Sequence, residues 1–160
     1  LLCLVSIPSH PQRDLYDLTR SSLDFLSSPG GEKQQLLYWF EIHLARLLGI
    51  SPQLSACVSC GGGIAAPSPR ASFSARLGGV LCKSCAQRRE EDSSPVGRDV
   101  LAILRAWQTA GSARSARSTH CSEAQRTALR GILESFLKYH LDRFPESRYR
   151  AFKTLMFKGY

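Results

Sequence analysis

The 160-residue sequence predicts a mainly α fold: a helical bundle interrupted by a small four-cysteine module with a short β-hairpin. Three observations predict it. Apolar residues recur at helical spacing on both sides of a central stretch. They are Leu36, Leu37, Phe40, Leu44, Leu47 and Leu48 before it, and Leu129, Ile132, Leu133, Phe136, Leu137, Leu141 and Phe144 after it. The central stretch carries Cys57-Val58-Ser59-Cys60 and Cys82-Lys83-Ser84-Cys85. Between the two pairs, short apolar runs flank glycine-containing turns. The organisation expected is a first helical part at residues 1–52, the cysteine module at 53–92, and a second helical part with a basic C-terminal tail at 93–160.

In chain order, Pro8 and Pro11 forbid a helix through the first dozen residues. The chain begins Leu1-Leu2-Cys3-Leu4-Val5, without Met or a basic n-region, and reads as the tail of an element rather than a signal peptide. Leu15, Leu18, Ser22, Phe25 and Leu26 have helical period until Ser27-Ser28-Pro29-Gly30-Gly31 breaks the chain. The next helix presents the first stripe named above, widened by Trp39 and Ile42, with Glu41 and Arg46 off it. Gly49 is its expected C-terminal cap, and Pro52 prevents a restart. An antiparallel pair would bury the two stripes together.

Two Cys-x-x-Cys pairs in tandem are the sequence pattern of a four-thiolate Zn2+ site. Two intervening residues let a tight turn aim both sulfurs at one ion, and a second such turn completes a tetrahedron. Gly61-Gly62-Gly63 after Cys60, and Gly78-Gly79 before Cys82, let the chain double back. Four thiolates close the shell, so the zinc is expected to be structural; catalytic zinc keeps a position open. Two redox or disulfide pairs are the alternative use of Cys57, Cys60, Cys82 and Cys85. Residues 71–74 and 79–82 are expected to pair as a hairpin around 75–78. Val58, Ile64, Phe73, Leu77, Val80 and Leu81 would make a very small core. The metal must then supply folding energy, and its removal should melt residues 57–85 while sparing the helices. With four of six cysteines in metal spacing, and Cys3 and Cys121 isolated, a reducing cytoplasm is the expected location.

Arg88-Arg89-Glu90-Glu91-Asp92 reads as a solvated charge run at the module boundary. Ser94 as N-cap and Pro95 as first helical residue predict a helix carrying Val96, Val100, Ile103, Leu104 and Trp107, ended by Gly111. Residues 112–120, rich in Ser, Ala and Arg, read as a mobile loop. Ser122 and Gln125 have capping-box spacing at the start of the last helix, which Pro145 ends. His140, on or beside the stripe, is expected to pack or hydrogen-bond rather than ligate. The C-terminal segment interleaves cations with Tyr149, Phe152, Phe157 and Tyr160.

The net charge is +8 and unevenly spread. Residues 1–92 hold nine Lys/Arg against eight Asp/Glu, whereas 93–160 hold twelve against five. A basic half joined to a near-neutral one predicts a polyanionic partner, most simply nucleic acid. The candidate contacts are Arg114, Arg117, Arg143, Arg148, Arg150, Lys153 and Lys158, with Tyr149 and Phe152 placed to stack on unpaired bases. No run of eighteen apolar residues is present, so no transmembrane helix and no membrane partner are expected. There is no Gly-rich phosphate loop and no nucleophile motif, and paired carboxylates occur only at Glu90-Glu91-Asp92. The chain is therefore not expected to be an enzyme.

Three stretches resemble the RecO recombination mediators of bacteria: residues 37–61, 73–86 and 139–148. The shared features are a helix ending in Leu47-Leu48-Gly49, Cys57-Val58-Ser59-Cys60-Gly61, Leu77-Gly78-Gly79 before the second cysteine pair, and Tyr139-His140-Leu141. The resemblance implies a helical domain with an inserted zinc finger in a DNA-repair protein. Such proteins bind single- and double-stranded DNA, anneal complementary strands, and act with RecR and single-strand-binding protein to load RecA. It also implies a nucleoid-associated location and a site for the acidic, Phe-ended tail of single-strand-binding protein. A cleft between the 36–48 and 122–144 helices is the expected place for that tail. The family begins with an oligonucleotide-binding β-barrel, and nothing in residues 1–35 reads as one, so contact with RecR is expected to need the missing part. The contrasting reading is a zinc-bearing protein-interaction adaptor with no nucleic-acid binding of its own.

Overall fold

A computed structural model describes residues 13–27, 33–64, 71–88, 93–141 and 150. Helix α1 spans Arg13–Ser27 and α2 spans Lys33–Leu47. Strands β1 (Ala71–Ser74) and β2 (Gly79–Leu81) follow, then the short α3 (Lys83–Gln87). Strand β3 (Ser94–Val96), α4 (Arg98–Thr109), the single turn α5 (Arg114–Arg117) and α6 (Glu123–His140) complete the described elements. The fold is mainly helical with one small antiparallel sheet, as the sequence predicts.

Helix α2 is the axis of the molecule. It packs against α1, α4, α5 and α6. Such a position buries most of the helix, with Lys33, Arg46 and Leu47 exposed towards its ends. Tyr38, Trp39, Ile42, Leu44 and Ala45 are buried, and so are Gln35, Glu41 and His43. Glu41 is thus inside, not off the apolar face as its charge predicts, and Leu47 is exposed. The His43 ring lies 4.2 Å from that of Trp39. Its Nε2 donates to the Trp107 carbonyl at 2.9 Å. Burial is the main force holding the His43 pKa below its usual value. The helix ends as expected at Gly49. The Gly49 N–H reaches the Arg46 carbonyl and the Ile50 N–H the Ala45 carbonyl, with Gly49 at φ 73°. This pair of bonds is a Schellman cap and needs the left-handed conformation that glycine adopts freely.

The hairpin has the expected register, Ser72↔Leu81, Phe73↔Val80 and Ser74↔Gly79, closed by residues 75–78. Two expectations fail nearby. Ser94-Pro95-Val96 is not a helix start; it pairs with β1, Ala71 opposite Val96, and makes the sheet order β2-β1-β3. Pro95 lacks an N–H and is tolerated because β3 is an edge strand. The helix begins at Arg98 behind Gly97. Nor is the 112–120 segment a simple loop. Its turn α5 buries Ala116, and Ala113 just before it, and packs on α2, and Thr119 accepts the Trp107 indole N–H at 3.1 Å.

Helix α6 starts with the capping box the spacing predicts, Ser122 and Gln125 each bonding the other's backbone N–H. It ends at His140, short of the Phe144 that the stripe predicts, because Leu141 is extended. Residues 142–149 and 151–160, with the expected stop at Pro145, lie outside the described residues.

Candidate metal centre

The first cysteine pair sits on a turn that docks against β2. Gln53 N–H donates to the Gly78 carbonyl, Val80 N–H to the Gln53 carbonyl, and Val58 N–H to the Val80 carbonyl, all at 2.9 Å. The approach is close enough that a Cβ at Gly79 would run into the Gln53 carbonyl oxygen and Val58 Cγ1. The turn closes through Cys57 N–H to Gly62 O and Gly61 N–H to Cys57 O, both 2.8 Å. Gly61 stands at φ 72° to permit it. The second pair opens α3: Cys82 is the residue before its first turn, and Cys85 lies within it.

These two turns bring together the four cysteines the spacing predicts. The sulfurs of Cys57, Cys60, Cys82 and Cys85 all lie within 4.8 Å of one another, with Cys60 to Cys82 at 3.9 Å. Tetrahedral sulfurs each about 2.3 Å from zinc stand about 3.8 Å apart. A disulfide needs about 2.05 Å, and Cys57, Cys60, Cys82 and Cys85 form none. The four cysteines therefore fit a single tetrahedral ion and fit two preformed disulfides poorly.

The electrostatics agree with a cation at this point. Burial opposes ionisation of Cys57, but N–H groups of Cys82, Cys60 and Ser59 outweigh it and set its pKa at about 6. Cys85 is also held low, first by the Arg88 guanidinium, whose Nη2 donates to Cys85 Sγ at 3.4 Å. At Cys60 the Gly62 N–H favours the thiolate, yet the neighbouring sulfurs of Cys57, Cys85 and Cys82 push it up to about 11. Protein donors thus balance part of the negative charge, and a divalent ion would balance a further part.

The module is fused to the bundle rather than appended to it. Phe73 meets Phe136 with ring centroids 6.1 Å apart. The Arg105 guanidinium on α4 donates to the carbonyls of Leu54 at 2.8 Å and Ile64 at 3.3 Å. His140 Nε2 donates to the Ala75 carbonyl at 2.9 Å, a packed and hydrogen-bonded histidine as expected. Arg88 and Arg105 have the roles that sequence reading misses. Arg88 falls in what reads as a solvated charge run, and Arg105 has no local signal. The i+3 spacing of Arg88 from Cys85 is the one clue available.

The basic candidates are less gathered. Arg114 is exposed on α5, whose turn also includes Arg117. Arg150 is exposed. Arg143, Arg148, Lys153 and Lys158, with Tyr149 and Phe152, lie outside the described residues. An aromatic that carries no sequence signal for this role, Tyr139, is 56% exposed beside Lys138 at the end of α6. Its ring is held edge-on by His140, centroids 5.1 Å apart. Among the described residues, no helix is long and apolar enough to cross a membrane.

A helical domain with an inserted four-thiolate hairpin module is the class of protein that this fold and site define. The chain belongs to the RecO family: the family model for the C-terminal part of recombination protein O matches residues 4–149. The DNA repair protein RecO of Desulforamulus reducens is 30% identical over 135 residues, 83% of this chain and 50% of the relative. Those of Anaeromyxobacter sp. strain K and Myxococcus xanthus are each 34% identical over 83% of this chain and 50% of their own. The chain thus spans about half the length of these curated relatives. No solved structure matches.

Proposed function

We propose that this chain is the DNA-binding helical part of a recombination mediator, with a structural zinc ion that shapes the domain and performs no chemistry. The observation that carries the reading is the charge of residues 93–160, twelve Lys/Arg against five Asp/Glu, on a chain of a DNA-repair family. Arg114, Arg117, Arg143, Arg148, Arg150, Lys153 and Lys158 neutralise phosphates. Tyr139, Tyr149 and Phe152 offer rings to unpaired bases, a sequence-tolerant interaction. On this reading the chain is not an enzyme. It acts in the cytoplasm at the nucleoid and promotes strand annealing and recombinase loading on DNA coated by single-strand-binding protein. The acidic tail of that protein binds here, and RecR binding draws on the half of the relatives that this chain does not span. Residues 1–52, 53–92 and 93–160 remain the working division of the chain, with β3 extending the module's sheet into the third part.

Binding is then mainly electrostatic and steeply salt-dependent. Removing one cation that neutralises a phosphate flattens the log–log salt dependence for single strands by about 0.7. Replacing Arg148, Arg150 and Lys153 with Ala should flatten it by about 2, with zinc content and helicity unchanged. Fluorescence anisotropy of a labelled oligonucleotide across a salt series measures this. An unchanged slope in a folded triple variant would remove the tail from the DNA site. A wild-type chain that ignores DNA at low salt would leave the adaptor reading in its place.

A further inference from the structure

We propose that Cys60 and Cys82 are an oxidation site, at which a peroxide converts the metal centre into a disulfide and releases the ion. The proposal rests on the four-thiolate reading of the centre. The four sulfurs are not equivalent. Cys57 and Cys85 are each 2% exposed, whereas Cys60 is exposed and Cys82 half-buried. The site therefore has a closed side and an open side, and a small polar oxidant reaches the open one. The two sulfurs on that side stand 3.9 Å apart across the two turns. On the closed side, the Arg88 guanidinium donates to Cys85 Sγ. Accessibility thus favours attack by Cys60, with Cys82, the other sulfur on the open side, placed to resolve the product.

The chemistry balances with peroxide as the only oxidant. The Cys60 thiolate attacks one peroxide oxygen, the O–O bond breaks, and a sulfenic acid and hydroxide result. The Cys82 thiolate then attacks the sulfenic sulfur; the S–S bond forms, the S–O bond breaks and a second hydroxide leaves. The two sulfurs together lose two electrons, and the peroxide gains them and, with two solvent protons, becomes two waters. Only Cys57 and Cys85 then remain as thiolate ligands, half of a structural site.

The fold is built to survive this step. The new bond links residues 22 apart, the same two turns that the metal links. The backbone bonds of Gln53 and Val58 to the hairpin do not pass through any sulfur. Neither do the anchors from Arg105 and His140. Because the disulfide keeps the cross-link that the metal supplied, oxidation is a reversible loss of metal without the destabilisation that chelation brings.

The test treats the zinc-loaded chain with hydrogen peroxide. Zinc release is read with 4-(2-pyridylazo)resorcinol, disulfides by mass spectrometry of unreduced peptides, and helicity by far-UV circular dichroism. The expected result is full release of zinc, a dominant Cys60–Cys82 cross-link, retained helicity, and restoration by a thiol reductant plus zinc. Cross-links confined to Cys57–Cys60 or Cys82–Cys85, or zinc retained while a free-thiol control is oxidised, would overturn the proposal and leave the four-thiolate site standing. A protein purified under reducing conditions that holds no zinc would overturn the site reading itself, and this proposal with it.

Discussion

Replacing Cys85 with Ser is expected to strip the zinc and to destabilise the whole domain, not only residues 57–85. The side chain is 2% exposed and held by Arg88, so no water can substitute for the lost ligand without opening the module. Structural zinc contributes roughly 10–16 kcal/mol to small modules at neutral pH. That is comparable to the whole stability of an ordinary domain, about 5–15 kcal/mol. The sequence alone predicts that the helices are spared, because a small module reads as separable. The structure points the other way. Leu54, Ile64, Phe73, Val80 and Leu81 belong to the same buried cluster as Leu104, Leu133, Phe136 and Leu137. Opening the module uncovers Phe136 and frees the carbonyls that Arg105 and His140 bind. Thermal unfolding followed by far-UV circular dichroism should show one early, broadened transition for the variant and for the chelated wild type. A wild-type helical transition after full zinc removal would show that module and bundle are independent.

The second large effect is expected at Trp107. It is 1% exposed, stacks near Tyr38 with centroids 6.3 Å apart, and donates its indole N–H to Thr119. It lies where α4 meets the axis of the fold, and Thr119 follows α5. Trp107→Ala leaves a cavity at that junction, and such truncations cost about 3–5 kcal/mol. Trp107→Phe keeps most of the apolar burial and loses the hydrogen bond, so its cost should be smaller, about 1–3 kcal/mol. Urea unfolding checks both, read as a fall in midpoint at constant slope. Equal losses for the two variants would place the stabilisation in the indole hydrogen bond rather than in packing.

What is legible in the sequence is local. The cysteine spacing, the hairpin register, the Gly49 cap and the Ser122–Gln125 box each depend on residues a few positions apart, and each is present in the fold. What the sequence misleads about depends on distant partners. Ser94-Pro95 has the form of a helix start, but β1 offers an edge and the chain pairs with it instead. The α5 turn packs through Ala113 and Ala116, side chains too small to leave a hydrophobic period. Glu41 reads as off the apolar face because charge usually is, and it is buried because α1, α4, α5 and α6 all pack on α2. The same reason hides Arg88 and Arg105. Their worth lies in a sulfur and two carbonyls that only the folded chain brings near. The proposed DNA contacts are legible only as a charge imbalance, since salt-sensitive contacts need no fixed spacing.

The central claim is that four thiolates hold one zinc ion and so lock the hairpin module onto the bundle. X-ray absorption at the zinc edge, on protein purified without chelators and with its metal content measured in parallel, tests it most directly. The account predicts one zinc per chain with a single shell of four sulfurs at about 2.3 Å. A shell containing nitrogen or oxygen, or a folded protein that holds no zinc, would contradict it.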